Sequence, residues 1–359
     1  MKGKKEKGRR IRTVLRMCSV AAVLLGLGWG GLLPQAQAGS YNYTTIVAPN
    51  NGLNFQLNGI NDSGAIVGQY NLNHIGIAAA PTGFLYQNGT FTTISDPGAN
   101  VNFGTTANGI SNDGTIVGNY YQSFSSDQAF KLSNGTYTTI SNQGYGNVSA
   151  NGIGLTTGAI VGDVFSCCNG IGYVQQGTSS TSTPNFNSSA YGSNTFASYS
   201  FHTGINSSGD IVGGYGGQYD GFGGKFGFYY NGTSFSVIDP VSPFQSQTTS
   251  VNGINNAGEM VGGYTTSSGN TYGYLDVNGI FTTLSVPGAS TTWAQGINNL
   301  GDIVGYYTNS SGTFGFLATP NTVPPISGTP EPSTLVLFGT GIFLMGYLTL
   351  RNRRPTLKV

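Results

Sequence analysis

Six copies of one phrase, beginning at Gly59, Gly109, Gly152, Gly204, Gly253 and Gly296, constrain this chain more than any other feature. The first reads Gly-Ile-Asn-Asp-Ser-Gly-Ala-Ile-Val-Gly-Gln-Tyr and the last Gly-Ile-Asn-Asn-Leu-Gly-Asp-Ile-Val-Gly-Tyr-Tyr. Their spacings of 50, 43, 52, 49 and 43 residues are those of one supersecondary unit repeated along the chain, the size of a propeller blade. In four of the six copies, Asn-x-x-Gly separates two apolar runs and predicts a tight turn between strands. A second phrase follows, as in Gly83-Phe84-Leu85-Tyr86-Gln87-Asn88-Gly89-Thr90-Phe91-Thr92-Thr93-Ile94, where Asn-Gly predicts a two-residue hairpin. The same dipeptide recurs at Asn134-Gly135, Asn231-Gly232 and Asn278-Gly279. Two hairpins make four strands per unit.

The ends of the repeat array decide between architectures. The sixth unit stops after Gly315-Phe316-Leu317 without a fourth strand, while Tyr41-Asn42-Tyr43-Thr44-Thr45-Ile46 matches that strand and has no earlier ones of its own. A displaced strand of this kind can close a ring and cover an open edge. The expected fold is therefore all-β, a six-bladed β-propeller closed by its N-terminal strand. A β-solenoid is the alternative, though a solenoid calls for caps at both ends. The 58 glycines, 41 Phe and Tyr residues and 8% charged residues suit short strands and turns rather than helices. The third unit is degenerate, and its Ser, Thr and Asn-rich stretch from Gly177 to Thr195 is expected to be a long loop or a poorly formed strand.

Charge is strongly partitioned. Of 14 basic residues, eight lie between Lys2 and Arg16 and four between Arg351 and Lys358; among the acids only Glu6 and Glu331 lie outside the repeats. The middle of the chain thus keeps Lys131 and Lys225 against eleven acids, a net −9. Such a surface repels phosphate backbones, so no nucleic-acid partner is expected.

Both ends read as processing segments. A basic run, the apolar stretch Val20 to Leu33 and Ala36-Gln37-Ala38 form the three-part pattern of a signal peptide over 1–38, with Ala36 and Ala38 marking the signal-peptidase site. A retained membrane anchor is the alternative. After the domain at 39–320 come a Pro-rich linker at 321–329, then Pro330-Glu331-Pro332, the apolar run Leu335 to Leu350, and Arg351, Arg353 and Arg354. This run predicts a transmembrane helix, short for a full span, and the basic residues predict a cytoplasmic tail at 355–359.

The order of motif, helix and basic end resembles the PEP-CTERM family of exported bacterial proteins, with the sorting signal at 330–354. That resemblance implies cleavage by an exosortase near Pro330-Glu331-Pro332 and a host that makes exopolysaccharide. It places the protein first as an inner-membrane-anchored intermediate and then on the cell surface or in the extracellular matrix. The repeats themselves resemble the extracellular HAF family from Asn58 to Leu317, in divergent form, since the namesake tripeptide appears only as Gln128-Ala129-Phe130. That family supplies no catalytic residues to carry over.

Candidate sites within the repeats are few. Tyr70, Tyr120, Tyr215, Tyr264 and Tyr306 follow Ile-Val-Gly (Met-Val-Gly in the fifth unit) and form a candidate ring of ligand-facing aromatics; packing between blades is the plainer reading. Asp210, Glu259 and Asp302 stand just after turn glycines, where paired carboxylates serve glycosidases if they converge; solvated turn residues are the plainer reading. Asn61-Asp62-Ser63-Gly64 and Ser111-Asn112-Asp113-Gly114 are oxygen-rich but lack the spaced carboxylates of a calcium loop and read as Asx turns. His74 and His202 lack a neighbouring nucleophile or a metal-ligand spacing, and Cys18, Cys167 and Cys168 form no spaced framework. No metal, cofactor or catalytic set is expected. The expected function is non-enzymatic: a surface or matrix module that binds extracellular polysaccharide or another surface protein. A secreted carbohydrate-active enzyme with its site at the channel is the competing reading.

Overall fold

The computed structural model describes residues 41–321, apart from 72–79, 124–125, 142–145, 167–168, 185–195, 220–221 and 241–245. The signal-peptide, linker, sorting-tail and transmembrane-helix readings, together with His74, Cys167 and Cys168, lie outside the described residues.

Strand β1 (Tyr41–Ile46) precedes six units. The first consists of β2 (Leu53–Ile60), β3 (Ile66–Asn71), β4 (Pro81–Gln87) and β5 (Thr90–Ile94), the second of β6 (Thr105–Ile110), β7 (Ile116–Ser123), β8 (Ser126–Ser133) and β9 (Thr136–Ile140). The third holds β10 (Asn147–Ile153), β11 (Ile160–Ser166), β12 (Asn169–Gln176) and β13 (Ser179–Ser182), the fourth β14 (Phe196–Ile205), β15 (Ile211–Tyr219), β16 (Phe222–Tyr230) and β17 (Phe235–Ile238). The fifth holds β18 (Ser246–Ile254), β19 (Met260–Thr266), β20 (Thr271–Val277) and β21 (Ile280–Leu284). The last has only β22 (Thr291–Ile297), β23 (Ile303–Asn309) and β24 (Gly312–Pro320), and β1 pairs antiparallel along β24 from Tyr41–Pro320 to Ile46–Gly315. Every unit is thus an antiparallel four-stranded meander. The chain is all-β with the layout of a β-propeller.

The Asn-Gly hairpins form as their chemistry requires. Asn88, Asn134 and Asn278 hold φ of 50–54° and the following glycines 76–82°, the left-handed pair of a type I′ turn. The fourth unit differs. Four residues separate β16 from β17, and Asn231 Oδ1 instead accepts the N–H groups of Thr233 and Ser234, so the expected two-residue turn is replaced by an Asx turn. In the third unit, Ser179–Ser182 pairs with β12, so a short fourth strand forms inside the stretch read as a long loop or a poorly formed strand.

The Ile-Val-Gly phrase explains how the units pack. In a strand, Ile and Val point to opposite faces. Ile116 packs with Val67 of the preceding unit, Ile160 with Val117, Ile211 with Val161, Met260 with Val212 and Ile303 with Val261. Ile66 packs with Val304 of the sixth unit in the same way. The core is therefore six layers between units, each burying the Ile face of one second strand against the Val face of its neighbour's, at about 1.5–3 kcal/mol for each fully buried Val or Ile.

The glycine of the phrase has a steric role that has nothing to do with turn geometry. A Cβ on Gly68, Gly118, Gly162, Gly213, Gly262 or Gly305 would lie 1.9–2.1 Å from the carbonyl oxygen of the residue just before its partner on the first strand. Across from each sits an aromatic of the third strand, Phe84, Phe130, Tyr173, Phe228, Tyr274 or Phe316, fully buried against the glycine.

Candidate functional site

The first strands of the six units surround a cavity of about 410 Å³. Each carries a β-bulge just before the glycine of its Gly-Ile: between Leu57 and Gly59, Ala107 and Gly109, Ala150 and Gly152, His202 and Gly204, Val251 and Gly253, and Ala294 and Gly296. A bulge re-aims a side chain. Here it turns Asn58, Asn108, Asn151, Thr203, Asn252 and Gln295 onto the cavity. The Nδ2 groups of Asn58, Asn108 and Asn252 donate to the carbonyls of Ala107, Ala150 and Ala294 in the following unit at 2.8–2.9 Å, and Thr203 Oγ1 donates to Val251 O at 2.7 Å. With Asn151 Nδ2, which donates to His202 O at 2.9 Å, these bonds form a collar that ties each of the first five units to the next.

Below the collar the glycines themselves touch. A Cβ on each of Gly59, Gly109, Gly152, Gly204 and Gly253 would stand 3.1–3.5 Å from the Cα of the glycine in the following unit, and one on Gly296 would stand 3.0 Å from Gly59 Cα. The sixth unit meets the first by the same contact that joins the others.

Above the collar the units differ. Facing pairs are Gln56 with Gln69, Thr106 with Asn119, Ser149 with Asp163, Phe201 with Gly214, Ser250 with Gly263, and Trp293 with Tyr306. Gln69 Nε2 donates to Gln56 Oε1 at 3.3 Å, and Asn119 Oδ1 accepts the Ala150 N–H at 2.8 Å. The Phe201 ring covers Gly214, and the Trp293 ring covers Gly263 of the neighbouring unit. Tyr121 also lines the cavity, its phenol pushed up by burial. Among the described lining residues none carries a charge.

The turn end of the units is a second hydrogen-bonded ring. Asn61, Asn206, Asn255 and Asn298 each accept two backbone N–H groups of their own turn, as the Asx reading expects. Asp210, Glu259 and Asp302 are each held by the amide of that same Asn, at 2.9, 2.7 and 3.0 Å. They therefore serve their turns and stand apart from the lining of the cavity. Asp62 joins three units: its carboxylate accepts Asn112 Nδ2 at 2.6 Å and both the N–H and Nδ2 of Asn299 at 2.8 Å. Burial works to raise its pKa, but these Asn299 and Asn112 hydrogen bonds outweigh it and hold the carboxyl below the usual range.

One buried polar cluster had no counterpart in the sequence reading. His202 Nδ1 lies 2.8 Å from Asp163 Oδ1, Asp163 Oδ2 accepts Asn151 Nδ2 and the His202 N–H, and His202 Nε2 lies 3.2 Å from Thr183 Oγ1. The imidazole occupies space that a Cβ on Gly172 would fill, 2.0 Å away. Thr, His and Asp in this order resemble a nucleophile relay, but all three are buried within the seam between the third and fourth units. Their geometry suits a lock between blades. Asp163 and His202 depart from the repeat, where the equivalent positions hold Gln69 or Asn119 and Leu57, Ala107 or Val251, and that departure was the available signal.

The tyrosine ring is corrected in two ways. Tyr70, Tyr120, Tyr215 and Tyr264 are buried within the units and do not face a ligand. Two of the hydroxyls reach the fourth strand: Tyr120 Oη lies 3.2 Å from Thr139 Oγ1 and Tyr264 Oη 3.2 Å from Thr283 Oγ1. In the sixth unit the equivalent residue is Tyr307, whose Oη lies 3.0 Å from Thr45 Oγ1 on β1. Tyr306, one residue earlier, points to the opposite strand face and is only half-buried, because side chains alternate.

Comparison with known proteins adds one motif. Residues 329–354 match the PEP-CTERM protein-sorting motif, which contains Pro330, Glu331, Pro332, Arg351, Arg353 and Arg354. No curated protein matches the sequence. Among solved structures, the chain is similar to the β-propeller domain of the trilobed protease of Pyrococcus furiosus, which has an open velcro topology (9% identity, 74% of this chain and 95% of that one, TM-score 0.47). It is also similar to a gluconolactonase from Xanthomonas campestris (11% identity, 79% and 91%, TM-score 0.46). A third is the six-bladed fucose-recognising lectin of Aleuria aurantia (11% identity, 80% and 97%, TM-score 0.40).

Proposed function

We propose that this protein, exported and processed by an exosortase as its PEP-CTERM motif implies, is a surface or matrix component that binds an extracellular polymer without cutting it. Its six sheets, divergent HAF-type repeats, close into a propeller through β1, and the cavity among the first strands is the binding site. The observation that carries this reading is the chemistry of that cavity. Its described polar side chains are amides and hydroxyls, each fit to donate and accept, set beside aromatic rings. The membrane-anchored intermediate then gives way to release at the surface, with signal peptidase and exosortase as the processing partners.

A second reading, a secreted carbohydrate-active enzyme, would need two carboxylates set on either side of a bond. Asp210, Glu259 and Asp302 are engaged by their own turns instead. The test is co-sedimentation of the full chain with the host's extracellular polysaccharide, with newly released reducing ends assayed in the same tubes. Binding without release is expected. Release of reducing ends would establish the enzyme reading and overturn this one.

A further inference from the structure

The fourth unit carries glycine at two alternate positions of β15. Where Gly214 stands, the fifth unit also has a glycine, Gly263, and the others carry Gln69, Asn119, Asp163 or Tyr306; where Gly216 stands, the others carry Asn71, Tyr121, Phe165, Thr265 and Thr308, so that glycine is peculiar to the fourth unit. Both glycines are seats. A Cβ on Gly214 would come within 2.5 Å of the Phe201 ring, and one on Gly216 within 2.4 Å of the Tyr199 ring. The two rings lie 6.4 Å apart between centres with 26° between planes. Phe201 lines the cavity and is half-buried, whereas Tyr199 is 44% exposed. An exposed tyrosine is usually scattered and unremarked. Here it continues, in nearly parallel orientation, a ring already inside the cavity, so the pair makes an apolar step leading inward.

The ligand follows from what surrounds that step. The Gln69–Gln56 hydrogen bond leaves both Gln56 N–H groups, a second Gln69 N–H and the Gln69 carbonyl to be used, and Asn119 and Tyr121 also line the cavity. A flat, weakly apolar ring face together with several hydroxyls that both donate and accept is the description of a pyranose. A charged sugar would lose its hydration with no opposite charge among the described lining residues to replace it, and the repeats' net −9 would repel an anionic one. The first strands wall the cavity laterally, so a polymer enters only end-first. Its volume of about 410 Å³ is that of a small-molecule site, enough for one or two sugar units.

Building on the polymer-binding reading, we propose that Tyr199 and Phe201 bind the terminal units of a neutral polysaccharide, the last sugar on Phe201 inside the cavity and the penultimate one on Tyr199. The test uses the full chain and neutral glucan, mannan and galactan fractions of graded length at equal mass, with polyuronate alongside. Capacity in moles of protein per gram of polymer should double each time the mean chain length of the bound polymer is halved, and polyuronate should not bind. Tyr199→Ala, a change at an exposed residue, should weaken binding roughly tenfold with an unaltered unfolding transition, and Phe201→Leu should do the same. Capacity independent of chain length, equal binding of polyuronate, or wild-type affinity in Tyr199→Ala would overturn the proposal while leaving polymer binding intact. Absence of binding to every neutral polymer and to the host's own polysaccharide would overturn the parent reading as well.

Discussion

Gly118→Ala isolates the steric demand that the repeat places on its most regular glycine. Its new Cβ would lie 2.0 Å from Thr106 O and 2.9 Å from the Phe130 ring. Carbon and oxygen in even a close C–H···O contact stay about 3.3 Å apart, so β6 and β7 must separate by more than about 1 Å. That separation breaks about two ladder hydrogen bonds beside the Ala107–Gly118 pair, at about 1 kcal/mol each. Overpacking of the buried layer adds about 1–3 kcal/mol. The expected loss is therefore about 3–5 kcal/mol, a large share of the ~5–15 kcal/mol that holds most domains folded. Gly114→Ala, four residues earlier, is the control. Gly114 has φ of 83° and no atom within 4 Å of its Cβ position, so only the left-handed backbone is taxed, by about 1–2 kcal/mol. Urea unfolding of both variants, followed by tyrosine fluorescence, gives the comparison. A Gly118→Ala variant no less stable than Gly114→Ala would refute the claim that these glycines are kept for strand approach.

Three further outcomes are expected. His202→Ala leaves the buried Asp163 carboxylate without its ring partner and should cost about 3–5 kcal/mol, and adding Asp163→Asn should restore part of that loss in the same unfolding assay. Asp62, with its carboxyl held low in the folded state, contributes stability that is present above the unfolded value of about 3.9 and disappears as pH falls through the folded one; Asp62→Asn should flatten the acid limb of midpoint against pH. Tyr41 is pushed up to about 12 by burial and then by the Glu259 charge. A raised acid of this kind stabilises below its unfolded value of about 10 and loses that contribution as pH climbs toward 12, so Tyr41→Phe should hold its midpoint better over that alkaline window.

Much of the scaffold was legible because the repeat states each element six times. Turn dipeptides, the Ile-Val alternation and the orphan strand at Tyr41–Ile46 each had a physical reading, and β1 pairs with β24 where that reading put it. The cavity was harder to see. The bulges fall on the residue before each Gly-Ile and shift the alternation there, so nothing in the pattern marks Asn58, Asn108, Asn151 and Asn252 as a collar. The doubled Tyr306-Tyr307 hid the true register of the sixth unit, which strict alternation from Ile303 would have assigned to Tyr307. Asp163 and His202 are 39 residues apart and meet only because the third and fourth units are neighbours. Phe201 and Tyr199 were illegible for a related reason: their seats are glycines in a chain with 58 of them.

A crystal structure of the full chain soaked with short neutral oligosaccharides bears most directly on the assignment of the cavity as the binding site. The account predicts an uncleaved terminal sugar against Phe201, hydrogen-bonded to Gln56 and Gln69, with the next unit on Tyr199. A sugar bound only in the seams between blades, or a cleaved product in the cavity, would contradict it.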